Sequence, residues 1–472
     1  MIRSALRPLT IVAMLTTGFV ARPAGVRTFA VQADVNPSGT WNGTIAVAGQ
    51  TIPISVTFTG ATDTMSGSIN VPGASGLPLR EVRRDEAKLH FAFSAGATIA
   101  SFDGTIDGTK MSGAFQQGLA AGTFTLTRHV DTPVTQATYR EETITFSSGA
   151  VTLAGTLTIP DGTGPFPAVM LLTGSGAQNR DEEIFDFKPF KVIADVLARR
   201  GIAVLRCDDR GVGGSSGSIA QSTTADFADD ALAGVSVLAA RREIDAKRIG
   251  LIGHSEGTSV AAIAASRDPR VAFIALLAPP AVRGDLVLRR QAIDLAKLIG
   301  ASDAQAAAIA AAHERTTRDA VAGDEAALAA DTRALIRAQI EGRPGAPAST
   351  ADVDAFIERT LPAALAQMKS PWMRAYIAFD PATVLAKVHC PVLAMFGGLD
   401  TQVAIDLNRA PFEAALAAAG NHAVTIKIYP DANHLFIKAV TGSPTEYPAL
   451  EKAFVPGLLD DLATWVAGVT AR

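Results

Sequence analysis

The sequence predicts an α/β protein. A mostly parallel central sheet carries helices on both faces, a helical cap interrupts it, and a small antiparallel β-sandwich or barrel precedes it. Three observations lead there. Continuous apolar runs at Pro167–Thr173, Ile202–Cys207 and Val271–Leu277 have the pattern of strands buried on both faces. Helical periods at 187–200, 225–241 and 258–265 alternate with such runs, as parallel strands joined by crossover helices require. Ahead of these, short segments of period two recur at roughly 8–12-residue spacing, the mark of an all-β unit.

At 472 residues the chain exceeds one compact domain of ordinary size. Its 48 % hydrophobic and 19 % charged residues are those of a soluble globular protein. The net charge is −4 and no basic run occurs, which argues against a nucleic-acid partner.

Residues 1–33 read as an export signal: Arg3 and Arg7, then a short apolar run Leu9–Ala21, then Val31-Gln32-Ala33 with cleavage expected after Ala33. That run is too short to span a bilayer, so no integral span is expected in the mature chain, which would be periplasmic or secreted. Residues 34–130 form the β unit, with strand patterns at 39–45, 51–58, 65–71, 89–93, 98–106, 110–115 and 123–128. Trp41 and the Phe residues should face its core. His90 and His129 stand alone there, with no metal-ligand spacing. A polar linker covers 129–140.

The α/β core occupies 131–281 and resumes over 379–472. It opens with a hairpin at 143–146 and 151–160. After the cap it continues with strands at 392–396 and 424–429, a helix at 411–419 and a closing helix at 447–466. Residues 282–378 carry helical spacing, a break at Gly345–Ser349 and no strand signal, and should lie over the C-terminal edge of the sheet. Cys207 and Cys390 should sit at opposite edges of the sheet, too far apart to bridge.

Gly253-His254-Ser255-Glu256-Gly257 stands between an apolar strand, Arg248–Ile252, and the helix from Thr258. Strand, G-x-S-x-G, helix is the nucleophile elbow: a strained turn that exposes a serine Oγ at a helix N-terminus. The serine needs a histidine base and an acid to orient it. Of seven histidines, six fall in the β unit, in the cap, before strands, or, at His254, on a side chain directed away from the nucleophile. His434, in the loop after the last strand, remains as base, because active groups lie beyond the carboxyl ends of the strands. Asp400 follows the preceding strand in Gly397-Gly398-Leu399-Asp400 and is the expected acid, with Asp431 as rival. The oxyanion should be held by the amides of Glu256 and Ser175, the latter in Thr173-Gly174-Ser175-Gly176-Ala177. Asp208, Asp209 and Arg210 read as a structural charge network. No zinc or EF-hand spacing occurs, and Gly211–Gly217 fits neither a dinucleotide nor a phosphate loop.

Over 141–472 the chain resembles the α/β-hydrolase superfamily. More narrowly, it resembles bacterial exported serine esterases with an N-terminal β domain. The narrower likeness rests on Thr173–Asp181, Asp208–Gly213, Gly253–Gly257 and Ser370-Pro371-Trp372-Met373-Arg374, with Gly39-Thr40-Trp41-Asn42-Gly43 and Gln117-Gly118 in the β unit. The resemblance implies hydrolysis of carboxylic esters, mostly of short acyl chains, on a small-molecule substrate and without cofactor or metal. It also implies that Trp372 and Phe379 border the acyl pocket. Similar chains are peptidases or acyl-thioesterases, and a peptidase would need a cap carboxylate such as Glu314, Glu325 or Glu358 to hold a free amine.

Overall fold

The structure, a computed structural model, describes residues 36–471 except 48–49, 61–64, 72–73, 96–97, 119, 129–136, 299 and 342–348. The export segment, His129, most of the linker and most of the Gly345–Ser349 break lie outside the described residues. Two compact units meet in sequence between Thr135 and Gln136.

The first unit is a closed up-and-down barrel. Its strands are β1 (Gly39–Val47), β2 (Gln50–Thr59), β3 (Ser66–Val71), β4 (Ala74–Asp85), β5 (Lys88–Ala95), β6 (Thr98–Asp107), β7 (Lys110–Gln117) and β8 (Ala120–Arg128). Each pairs with the next, and β1 closes on β8 through Trp41 opposite Arg128. Alternate residues point inward, so Trp41, Phe58, Phe91, Phe102 and Phe124 fill the interior as a packed core. The period-two pattern predicts seven strands and misses β4. A bulge between Leu79 and Glu81 changes the parity of that strand, so Leu77, Leu79 and Val82 all pack on the core and regular alternation is lost. His90 is not isolated either: its Nδ1 lies 2.7 Å from Asp103 Oδ1 on the neighbouring strand.

The second unit is built on eight strands: β9 (Tyr139–Ser148), β10 (Val151–Pro160), β11 (Phe166–Leu172), β12 (Ala203–Cys207), β13 (Ile244–His254), β14 (Val271–Leu277), β15 (Val392–Gly397) and β16 (Val424–Tyr429). Their order in the sheet is β16-β15-β14-β13-β11-β12-β10-β9. β9 pairs with β10 and β10 with β12 antiparallel, and the remaining neighbours are parallel. The apolar runs are continuous because both faces are covered. Met170 packs with helices α2 (Thr224–Ala239) and α3 (Glu256–Arg267), while its neighbours Val169 and Leu171 pack with α1 (Pro189–Arg199) on the opposite face.

Between β14 and β15 come α4 (Gly284–Leu298), α5 (Asp303–Ala322), α6 (Glu325–Ile340), α7 (Thr350–Lys369), α8 (Pro371–Ala378) and the short α9 (Pro381–Leu385). No strand is present among the described residues of this stretch. The core resumes with α10 (Ile405–Ala418) between β15 and β16, and α11 (Leu458–Thr470) closes the chain.

Three expectations are corrected. Cys207 and Cys390 are both free thiols, but neither β12 nor the approach to β15 is a sheet edge; β11, β13 and β14 lie between them. Burial pushes both thiols up, Cys390 to about 11, so neither is a ready nucleophile. The last helix starts at Leu458, not Tyr447, because Pro448 and Pro456 interrupt the period and Gly457, at φ 87°, turns the chain into it. Helix α10 starts six residues before Pro411, which it accommodates internally.

Candidate active site

Strand β13 ends at His254 and α3 begins at Glu256, leaving Ser255 as the single residue of the turn. Its backbone is at φ 52°, ψ −120°, a strained conformation for a residue with a side chain. The flanking glycines are dictated by space. A Cβ on Gly253 would lie 2.2 Å from the Gly257 carbonyl oxygen, and one on Gly257 would lie 2.2 Å from that of Leu172. The strain is held by hydrogen bonds from Ser255 N–H to Leu277 (2.9 Å) and from Thr258 Oγ1 to the Ser255 carbonyl (2.7 Å). Ser255 is half-buried, and its hydroxyl makes no hydrogen bond among the described residues.

Asp400 and His434 come together from the loops after β15 and β16. Gly398 N–H donates to Tyr429 and Leu399 N–H to Ala432, which zips the two loops side by side. A Cβ on Gly397 would meet the Ala432 and Asn433 carbonyls at 2.7 Å, so glycine is what lets them approach. Asp400 Oδ2 lies 2.8 Å from His434 Nδ1, and its Oδ1 accepts the N–H groups of Gln402 and Val403 at 2.8 Å. Burial opposes the Asp400 charge, but His434 and these N–H donors outweigh it and hold the carboxyl below its usual range. The rival Asp431 is exposed, and its carbonyl is tied to Ala439 N–H.

The loop after β11 crosses the elbow closely. A Cβ on Gly174 would stand 3.2 Å from Ser255 Cβ. The amides of Ser175 and Glu256 have no hydrogen-bond partner among the described residues, while their neighbours in the loop are occupied. Gly174 N–H goes to Glu182 (2.7 Å), Gln178 N–H to Asp209 (2.9 Å) and Arg180 N–H to Asp208 (3.0 Å). The charge network expected around Asp208 is therefore the clamp of this loop. Arg180 grips Asp208 through Nε and Nη2, and Asp209 also accepts from Thr173 Oγ1 at 2.6 Å. Arg210 pairs separately with Asp230. Burial raises the Asp209 carboxyl to about 7, against the pull of Thr173 and Gln178.

Two participants are missed by the pattern reading. Glu182, almost fully buried, joins Gly174 N–H and His254 Nδ1 (2.9 Å) on one carboxylate oxygen. His254, read as pointing away, reaches the carbonyl of His434 with its Nε2 at 2.9 Å, and the two rings lie 4.7 Å apart. No spacing in the sequence announces Glu182. It acts across 72 residues through tertiary contact.

The side chain of Glu256 is as informative as its amide. It is buried, accepts from Thr224 Oγ1 (2.7 Å), and both its oxygens face Trp372 Nε1 at 3.1 Å. Burial raises its carboxyl above the usual value, and the Thr224 and Trp372 donors oppose this. Trp372 on α8 thus reaches from the inserted helices to the elbow, whereas Phe379 packs on the sheet core. A cavity of about 60 Å³ opens beside the elbow, bordered by Gly174, Glu256, Leu153, Met170, Phe227 and Val260; neither Trp372 nor Phe379 lines it. Glu314, Glu325 and Glu358 lie at the surface, paired with Arg289, Lys369 and Arg333. No group of side chains suited to a metal ion occurs among the described residues, and no helix there is long and apolar enough to cross a membrane.

A mixed sheet with a strained G-x-S-x-G elbow between strand and helix defines the class, and comparison with known proteins agrees. The family model described as serine aminopeptidase, S33, matches residues 188–338, and that of the dienelactone hydrolase family matches 375–455. The chain has the α/β-hydrolase fold and is a hydrolytic enzyme. It is similar to Esterase EstD of Thermotoga maritima, 28 % identical over 359 residues that cover 76 % of this chain and 74 % of that protein. Among solved structures, an esterase of Pyrococcus furiosus aligns at TM-score 0.44 and 15 % identity, over 73 % of this chain and 96 % of that one. A proline iminopeptidase of Mycobacterium smegmatis aligns at 0.42 and 17 %, over 70 % and 99 %.

Proposed function

We propose that the protein is a serine esterase acting on carboxylic esters of short acyl chains. Ser255 attacks the ester carbonyl, His434 takes its proton, and Asp400 holds the His434 ring by its Nδ1. The amides of Glu256 and Ser175 receive the oxyanion, His434 protonates the departing alcohol, and water releases the acyl group from Ser255. The observation that carries this reading is the buried 2.8 Å contact of Asp400 with His434 beside the strained Ser255 turn.

Apolar side chains of Met170, Phe227 and Val260 border the cavity beside the elbow, a lining that suits the hydrocarbon part of an acyl group. The surface pairing of Glu314, Glu325 and Glu358 disfavours these carboxylates as holders of a peptide amine. Turnover of a nitrophenyl ester series from acetate to palmitate, beside aminoacyl-nitroanilides, tests the reading. Fast short esters with silent anilides are expected; anilide turnover with silent esters would make the enzyme a peptidase. We further propose export with cleavage after Ala33, which N-terminal sequencing of the mature protein checks; an intact Met1 terminus would refute it.

A further inference from the structure

The Glu182–His254 pair is buried beside the site, and the reaction as written does not use it. Each nitrogen of the His254 ring faces an acceptor. Nε2 lies 2.9 Å from the His434 carbonyl, which can only accept, so Nε2 carries a proton. Nδ1 lies 2.9 Å from Glu182 Oε1, the same oxygen that takes Gly174 N–H at 2.7 Å. The ring thus spans the Glu182 carboxyl and the His434 backbone, with both side chains under a tenth exposed. Burial opposes a charge on the ring, but Glu182, the His434 carbonyl and the nearby Asp400 outweigh it and hold the His254 pKa above its usual value.

The geometry of this pair is a bridge. At one end is the N–H of Gly174, next to the Ser175 amide in the loop that crosses the nucleophile. At the other is the backbone of His434 itself. Glu182 belongs to the chain after β11, His254 to the end of β13, and His434 to the loop after β16, so three separate segments meet in one chain of hydrogen bonds. Glu182 holds its place at φ 51°, a conformation that a side chain tolerates only when its surroundings demand it. Such a buried polar bridge is poorly suited to adding stability. It is well suited to fixing two loops that must act on one carbonyl carbon together.

We propose that Glu182 and His254 are positioning residues that lock the oxyanion loop and the His434 loop in register through the chain Gly174–Glu182–His254–His434. This rests on the esterase reading above and deepens it. Neither residue touches substrate. Their effect is on the alignment of the Ser175 amide and the His434 ring in the transition state, where a misplacement near 1 Å costs about a hundredfold.

The test compares Glu182→Gln, His254→Asn and the double variant with the wild type on nitrophenyl butyrate, together with the rate of Ser255 labelling by a fluorophosphonate. The Glu182→Gln change keeps the shape of the side chain and an acceptor for Gly174 N–H, and circular dichroism checks that each variant is folded. The expected result is a kcat lower by roughly 10- to 100-fold in each single variant, with KM within about threefold and phosphonate labelling slowed in parallel. The double variant should lose no more than the worse single one, because both break one chain. A kcat within twofold of wild type in the singles, losses that multiply in the double, or an effect confined to KM would overturn the proposal. If His254→Asn does not fold, kcat and labelling of Glu182→Gln decide alone. Ser255→Ala run alongside separates the two readings. Turnover by that variant sinks the esterase mechanism, whereas its silence beside fully active bridge variants sinks only the bridge.

Discussion

His434 Nδ1 and Asp400 Oδ2 lie 2.8 Å apart with both side chains almost wholly enclosed. A carboxylate there fixes the ring with its proton on Nδ1 and leaves Nε2 free to take one from Ser255. An amide in its place presents a donor or a weaker acceptor. Asp400→Asn should therefore lower kcat by on the order of 10⁴-fold in an ester assay, while Asp431→Asn, at an exposed position, should stay within about twofold. Equal losses in the two variants would reassign the acid.

Asp209 makes the fold sensitive to pH in one direction. Burial lifts its carboxyl to about 7, against ~3.9 in the unfolded chain. Below pH ~4 both states hold the proton, so this group costs nothing. As the pH climbs toward 7 the unfolded chain ionises first, and stability is lost. Relative to Asp209→Asn, which does not titrate, the wild type should lose up to about 4 kcal/mol between pH 4 and 8, read by urea unfolding. A wild-type minus variant difference that stays flat over that range contradicts the assignment. Asp400, with its carboxyl held low, acts in the opposite sense: its contribution is present above pH ~4 and fades as the pH falls below that.

Glu256 and Trp372 tie the elbow to α8. Replacing the indole by a ring of similar shape without the N–H leaves a buried carboxyl short of a donor. Trp372→Phe should cost about 1–3 kcal/mol of stability, measured by denaturant titration. An unchanged unfolding midpoint would mean the 3.1 Å contacts contribute nothing.

Gly257 admits no side chain, since its Cβ would sit 2.2 Å from the Leu172 carbonyl and 2.6 Å from that of Thr173. Both are backbone atoms of the strand end and cannot swing aside. Gly257→Ala should destabilise by about 3 kcal/mol or more and abolish activity. A stable, active variant would show that the elbow relaxes more freely than this packing allows.

Much of this was legible from the chain itself. The sheet strands are legible because each apolar run is buried on both faces, and the placing of Ser255 in a strand-to-helix turn and of Asp400 and His434 after strand ends because those are local features. The barrel strand β4 was not, since its bulge changes which residues face inward midway. The start of the closing helix is not legible, because Tyr447 and Leu450 are apolar for a satellite cluster with Phe187 and Leu435, not for a helix face. The Gly174–Glu182–His254–His434 contacts are not legible in the sequence, because they depend on three segments meeting in space and neither spacing nor period encodes that meeting.

The most direct measurement is intact-mass analysis of the purified protein after reaction with a fluorophosphonate, with ester turnover followed in the same sample and in Ser255→Ala. The account predicts one phosphonyl adduct per chain, located on Ser255, with turnover lost in step with labelling, and neither adduct nor turnover in the variant. Ester hydrolysis by Ser255→Ala near the wild-type rate, or an adduct on another residue, would contradict it.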